Sequence, residues 1–173
     1  MPAARTRASS EGAGVSASGG EAELRELPSS ARRVRLRAPR VLGYVELVSL
    51  PSWGVAGIAA KVDTGAETSA LHVCDLRLRG ATRVCFSVFD GDEARDPVPV
   101  AARLVRRGLV RSSNGHTEER LFVRTSVTLG GRSHSVEIGL VDRSQMEFRM
   151  LIGRAALESG YLVDPSRRFL AGR

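Results

Sequence analysis

The stretch KVDTGAETSALH, residues 61–72, decides how this chain is read. It holds the only lysine, Lys61, an aspartate followed by Thr-Gly, and one of the three histidines. The apolar run GIAAKV leads into it and SALHV leads out, so Asp63 stands at a bend between two expected strands. Gly65 lets the backbone turn tightly and leaves space beside the carboxylate. The Thr64 hydroxyl can hydrogen-bond to neighbouring backbone and stiffen the turn. If two such turns face each other, their carboxylates lie too close to ionise together. They then share a proton, one acting as base on a water while the other donates to a carbonyl.

Outward from that turn the pattern is one of short strands. GYVELVSL alternates as a half-buried strand does, and PSWG turns the chain. RVCFSVF is a further strand, and VPVAARLVRRGLV reads as one long strand or as two interrupted by Gly108. ERLFVRTSVTLGGRSHSVEIGLV gives two β-rich runs joined at Gly130-Gly131, a hairpin signal. GRAALESG, residues 153–160, is the one helical stretch, about two turns long. The strand YLVD follows, with Pro165 expected to end it. These elements make an all-β domain over residues 42–173, with a barrel or a sandwich as its architecture. Residues 1–41 are rich in Ala, Ser, Gly, Glu and Arg, a composition that reads as a disordered basic leader closed by ARRVRLRAPR.

Composition narrows the classes of function. The chain has 173 residues, is 42% hydrophobic and carries a formal net charge of +7. Of its 26 basic residues only Lys61 is not arginine. Guanidinium forks grip carboxylate or phosphate with two hydrogen bonds, so the excess charge points to an anionic partner. Aromatics are 5% and do not interleave with basic residues as in single-strand stacking platforms, so nucleic acid is not the expected partner. No apolar run approaches the roughly 20 residues a bilayer span requires, and the start lacks a secretory signal, which makes the cytoplasm the expected compartment. Cys74 and Cys85 are too few for a disulfide framework. There is no H-E-x-x-H, no C-x-x-C and no phosphate loop, so neither a metal nor another cofactor is expected.

Three blocks in order carry a resemblance: KVDTGAETSALH, then SSNGHTEER (112–120), then VDRSQMEFRMLIGRAAL (141–157). They resemble the retropepsin-like aspartic peptidases, and most closely a bacterial family labelled ATP-dependent zinc proteases. That family is associated with ATP-grasp ligases that add glutamates to a ribosomal protein. The resemblance covers about residues 43–170. It implies a closed β-barrel with one short C-terminal helix, a homodimer with one catalytic Asp per chain, and cleavage within glutamate-rich tails. Carried onto this chain, it makes Asp63 the catalytic carboxylate with Thr64 and Gly65 shaping its turn. Gly153 and Arg154 support that turn, Arg154 through an ion pair with Glu67. Ser112, Ser113 and Gly115 fall where a retropepsin carries its flap. Ala66, Glu67, His72, Ser112, Ser113, Arg120 and Arg143 are the expected substrate contacts, the arginines clamping carboxylates of an acidic peptide or glutamate-tailed protein. Arg149 falls in the same block and is open to a surface role. His72 is open to a packing role, and His116 and His134 complete a scattered histidine set. Any ATP use belongs to a partner ligase. Two other readings remain open, a non-catalytic module binding acidic peptides on the same fold and a zinc-dependent hydrolase.

Overall fold

The computed structural model describes residues 38–91, 95–111, 115, 117–158 and 160–172. The expected leader, apart from its last few residues, lies outside them, as do Ser112, Ser113 and His116. β1 (Arg40–Leu50) and β2 (Val55–Asp63) form an antiparallel hairpin around a 3₁₀ turn, Pro51–Trp53, closed by Gly54 in the left-handed region. β3 (Ser69–His72) leads to β4 (Cys74–Arg79) and β5 (Arg83–Val88). β6 (Val98–Arg111) and β7 (Thr117–Leu129) pair as a long hairpin, and β8 (Arg132–Val141) returns along β7. β9 (Met150–Gly153), the single turn α1 (Arg154–Leu157) and β10 (Tyr161–Arg168) complete the chain.

The order β1-β2-β9-β3-β8-β7 closes on itself, because β7 also pairs with β1 through Val48–Leu129 and Ser49–Thr128. The architecture is therefore the closed six-stranded barrel rather than the sandwich. Closure follows from residue pattern: Val48, Leu50, Ile58, Val62, Leu71, Val123, Val127, Ile138 and Ile152 turn inward and are buried. Burying a side chain of this size gains roughly 1.5–3 kcal/mol, and the alternation commits each strand to one register. The β4–β5–β6 ribbon adds its own buried Val84, Phe86, Val88 and Val100 to the same core. Among the described residues no helix is long and apolar enough to cross a membrane.

Three elements differ from the sequence expectation. α1 is one turn, not two, since the chain must reverse at once to start β10 beside β1. β10 runs through Pro165 instead of ending there. Its pairing with β1 jumps from Gly43–Asp164 to Val45–Arg168, so the proline sits in an irregularity on a sheet edge, where its missing N–H breaks no ladder. Gly43 permits this, because a Cβ there would stand 2.4 Å from the Arg167 carbonyl oxygen. β4 has no counterpart among the expected strands, as its side chains are nearly all exposed and among the described residues it pairs with β5 alone. The candidate strand around Gly108 is continuous: β6 keeps going while exchanging β5 for β7 as partner. The Gly130-Gly131 hairpin forms as expected, both glycines at positive φ.

Candidate active site

β2 ends on Asp63, which lies in parallel register with Gly153 of β9. Asp63 Oδ1 accepts hydrogen bonds from the backbone N–H of Gly65 at 3.0 Å and of Ala66 at 3.1 Å. One carboxylate oxygen is thus fixed by its own turn. A Cβ on residue 65 would stand 3.3 Å from that oxygen, so glycine keeps the carboxylate uncrowded.

The turn is gripped from behind by β9 and α1. The first N–H groups of α1 find their acceptors in the turn: Arg154 N–H donates to the Ala66 carbonyl at 2.8 Å and Ala155 N–H to that of Glu67 at 3.0 Å. Gly153 N–H donates to the Ser69 hydroxyl at 3.1 Å. Gly153 itself is obligatory, since a Cβ there would lie 2.4 Å from the Thr68 carbonyl carbon. The Arg154–Glu67 ion pair expected from sequence does not form. Arg154 Nη1 donates instead to the Thr64 carbonyl at 3.3 Å. Glu67 is held through its backbone, and its side chain is turned to an exposed hollow of about 340 Å³ shared with Arg106, Arg124 and Glu137. Arg154 still buttresses the turn, by the backbone instead of the carboxylate.

His72 is 7% exposed and ends β3. Its Nδ1 accepts the backbone N–H of Arg143 at 2.9 Å, which assigns the ring proton to Nε2 in the neutral form. The ring stacks on Phe89, 6.0 Å between centroids, and the Arg149 guanidinium covers the same phenyl ring at 4.4 Å. Burial, and then the Arg149 cation, hold the His72 pKa below 6.5 despite the opposing pull of Asp142. His72 thereby anchors the segment that carries Arg143.

Arg143 is half-buried, and its Nε donates to the Phe148 carbonyl at 2.9 Å. Its pKa is lowered by burial and by the Arg120 cation, while the Asp63 charge works in the opposite sense. Asp63, Arg120 and Arg143 therefore share one electrostatic neighbourhood. Arg120, on β7, has a side chain 12% exposed that lies across Gly139, where a Cβ would meet its Cδ at 2.5 Å. It pairs with Glu118, and its buried Nε has no hydrogen-bond partner among the described residues. His134 is elsewhere, bonded to the Tyr161 hydroxyl at 2.7 Å, and Cys74 Sγ faces the Ser87 carbonyl. Among the described residues no group of three His, Cys, Asp or Glu side chains could hold a metal ion.

Sequence reading missed Phe89 and Ser69 as supports of this site. The Ser at 69, opening the strand behind the turn, was the available signal for the second. Nothing local marks the first, because its partner His72 is brought to it only by the fold.

A closed barrel with Asp-Thr-Gly at the end of one strand, backed by Ile-Gly-Arg on the next, defines a retropepsin-like protein. The chain belongs to the RimB-like family, described as retropepsin-like aspartic endopeptidase RimB, whose profile matches residues 41–173. Among curated relatives, a Shewanella pealeana protein named "Probable alpha-L-glutamate ligase" is 35% identical over 136 residues, covering 76% of this chain and 30% of its own. A Parasynechococcus marenigrum protein of the same name is 38% identical over 133 residues, covering 72% of this chain and 28% of its own. The chain thus spans less than a third of the length of these relatives. A solved structure of a Legionella pneumophila protein of unknown function shares the fold, with a TM-score of 0.62 at 24% identity over 76% of this chain and 98% of its own.

Proposed function

We propose that two copies of this chain form one aspartic peptidase, each contributing Asp63, and that its substrate is the glutamate-rich tail of a protein. The observation that carries this reading is the Asp63 turn, in which two N–H groups hold Oδ1 and leave the other oxygen for proton transfer. In the pair, one Asp63 is ionised and the other protonated. The ionised one takes a proton from water as the water oxygen bonds to the scissile carbonyl carbon, and the other gives its proton to the carbonyl oxygen. The tetrahedral diol then collapses: the carboxyl that took the water's proton gives it to the leaving nitrogen as the C–N bond breaks, and the other takes a proton from the remaining hydroxyl, restoring the starting pair.

The preference for glutamate rests on Arg143 and Arg120. Arg143 keeps donors beyond its Nε, and Arg120, paired with Glu118 and with its Nε buried, adds its positive charge to the same neighbourhood. Guanidinium forks so placed accept a carboxylate side chain next to the scissile bond. The printed name of the relatives supports the same reading, because there a stretch similar to this chain sits within a longer protein called a glutamate ligase. A glutamate ligase is accordingly the proposed functional partner.

The test is release of glutamate or shortened peptide from a polyglutamylated peptide by the purified protein. Asp63→Asn should reduce the rate by roughly 10²–10⁴-fold, the range for a positioned acid-base group, with the melting temperature unchanged. Retained hydrolysis in that variant discards the mechanism.

A further inference from the structure

Arginines stand abreast on the outer face of the β4–β5–β6 ribbon. Arg79 lies directly opposite Arg83, and Arg83 directly opposite Arg103. Opposed residues on antiparallel strands share a face with Cβ atoms about 4.5–5.5 Å apart, so three cations form a row across three strands. Arg77, two residues before Arg79, adds a fourth on the same face, opposite Cys85 and through it Ala101. The other face carries Val84, which is fully buried, and this directs the arginines to solvent. All four are exposed, and none has a carboxylate partner among the described residues. Next along the sheet, by contrast, Arg106 and Arg124 share Glu137. Thr82, Ala101 and Ala102 join Arg83 and Arg103 around a shallow hollow of about 310 Å³. Like charges set directly opposite one another destabilise a sheet, so this row is a cost to the fold unless an anion covers it.

We propose that the row is a docking surface for an acidic polypeptide segment. Its chemistry selects that partner over nucleic acid. The neighbours on this face, Cys85, Ser87, Pro99 and Ala101, include no aromatic ring on which a base could stack. Four cations within three strands also fall short of the roughly 6–10 phosphate contacts of a typical duplex-binding surface. An extended acidic chain places carboxylates of one side about 7 Å apart, within the span of neighbouring guanidinium forks on their flexible stems. Each fork can accept one carboxylate with two parallel hydrogen bonds. The proposal does not depend on Asp63 being catalytic, since it concerns binding by side chains of β4, β5 and β6.

The experiment uses the full chain carrying Asp63→Asn, which removes turnover, and a fluorescein-labelled peptide of ten glutamates read by anisotropy. Arg83→Gln/Arg103→Gln in that background should raise Kd about tenfold or more and flatten its dependence on salt. Arg167→Gln/Arg168→Gln, an equal loss of charge on β10, should change Kd less than about twofold. Loss of like-charge contact should leave the first double variant melting at or above its parent. If it melts lower, Arg83→Gln alone is read in its place. Equal weakening by both double variants, or none by the first, overturns the proposal. So does a labelled ten-nucleotide uridine strand that binds more tightly than the peptide and loses its affinity with the same two arginines. Hydrolysis by the unsubstituted chain is scored separately, so a failed docking surface and a failed peptidase reading give different results.

Discussion

At the scale of single residues, two buried ionisable groups do structural work that the sequence does not announce. Glu46 is fully buried, forms no ion pair among the described residues, and its carboxylate is taken up by backbone donors. Oε1 accepts from Gly43 N–H at 2.6 Å and Leu170 N–H at 2.9 Å, and Ala171 N–H reaches both oxygens. The C-terminal turn is thereby tied to β1. Glu46→Gln presents an amide NH₂ to some of those donors and should cost about 1–3 kcal/mol, measured by urea unfolding. His72 behaves in the opposite way, because it is held neutral. Its folded pKa lies below 6.5, so below that pH the unfolded chain binds a proton the native chain refuses. This contribution therefore makes stability fall as pH drops from about 6.5 toward the folded value. His72→Asn keeps an acceptor for the Arg143 N–H without the titration. Comparing urea midpoints at about pH 7.5 and about pH 5.5, the variant should lose less stability on acidification than the parent.

At the scale of elements, the readable parts were those where one face is buried. β2, β5 and the second half of β7 alternate between core and solvent, as period-2 patterning requires, while β3 is buried throughout and reads as a short apolar run. β4 escaped because solvent lies over most of its side chains, leaving its leucines 76 and 78 partly exposed and no inward stripe to recognise. Pro165 misled because a proline reads as a strand end, whereas an irregular edge accepts it. In the candidate site, Asp63, Gly65 and Gly153 were legible, since each serves a local need for a bend or a close approach. The target of Arg154 was not, because whether a long side chain meets a carboxylate or a carbonyl depends on packing. The His72–Arg143 bond joins residues 71 apart and leaves no local trace. The junction of β9 and α1 gives the sharpest check on this scale. Gly153→Ala forces a Cβ into the Thr68 backbone, which cannot yield as a side chain would. It should cost about 1–3 kcal/mol by overpacking and displace the turn, so activity should fall further than the lost stability accounts for. A variant with unaltered turnover would separate α1 from the Asp63 geometry.

On the scale of the whole molecule, the barrel puts one Asp-Thr-Gly turn at the end of one strand, and a shared-proton mechanism requires two. The proposed mechanism takes the second from another copy, in an isologous arrangement where the same turn meets itself across a twofold axis. The β6–β7 hairpin, a charged arm on which Leu109 is 77% exposed, is an element that such an arrangement would have to accommodate. Dimerisation makes a quantitative demand that neither a monomeric enzyme nor a binding module makes. When wild-type chains exchange freely with about a ninefold excess of Asp63→Asn chains, random pairing leaves only about a tenth of the wild-type chains with a wild-type partner. Each mixed pair holds one competent carboxylate and should be inactive by the factor expected of Asp63→Asn itself. Hydrolysis per wild-type chain should therefore fall about tenfold after mixing, at a rate set by subunit exchange. An excess of a folded, unrelated protein should have no such effect. Unchanged activity after complete exchange, followed by mass spectrometry of isotopically labelled chains, would mean that a single Asp63 suffices and that the paired-carboxylate mechanism fails.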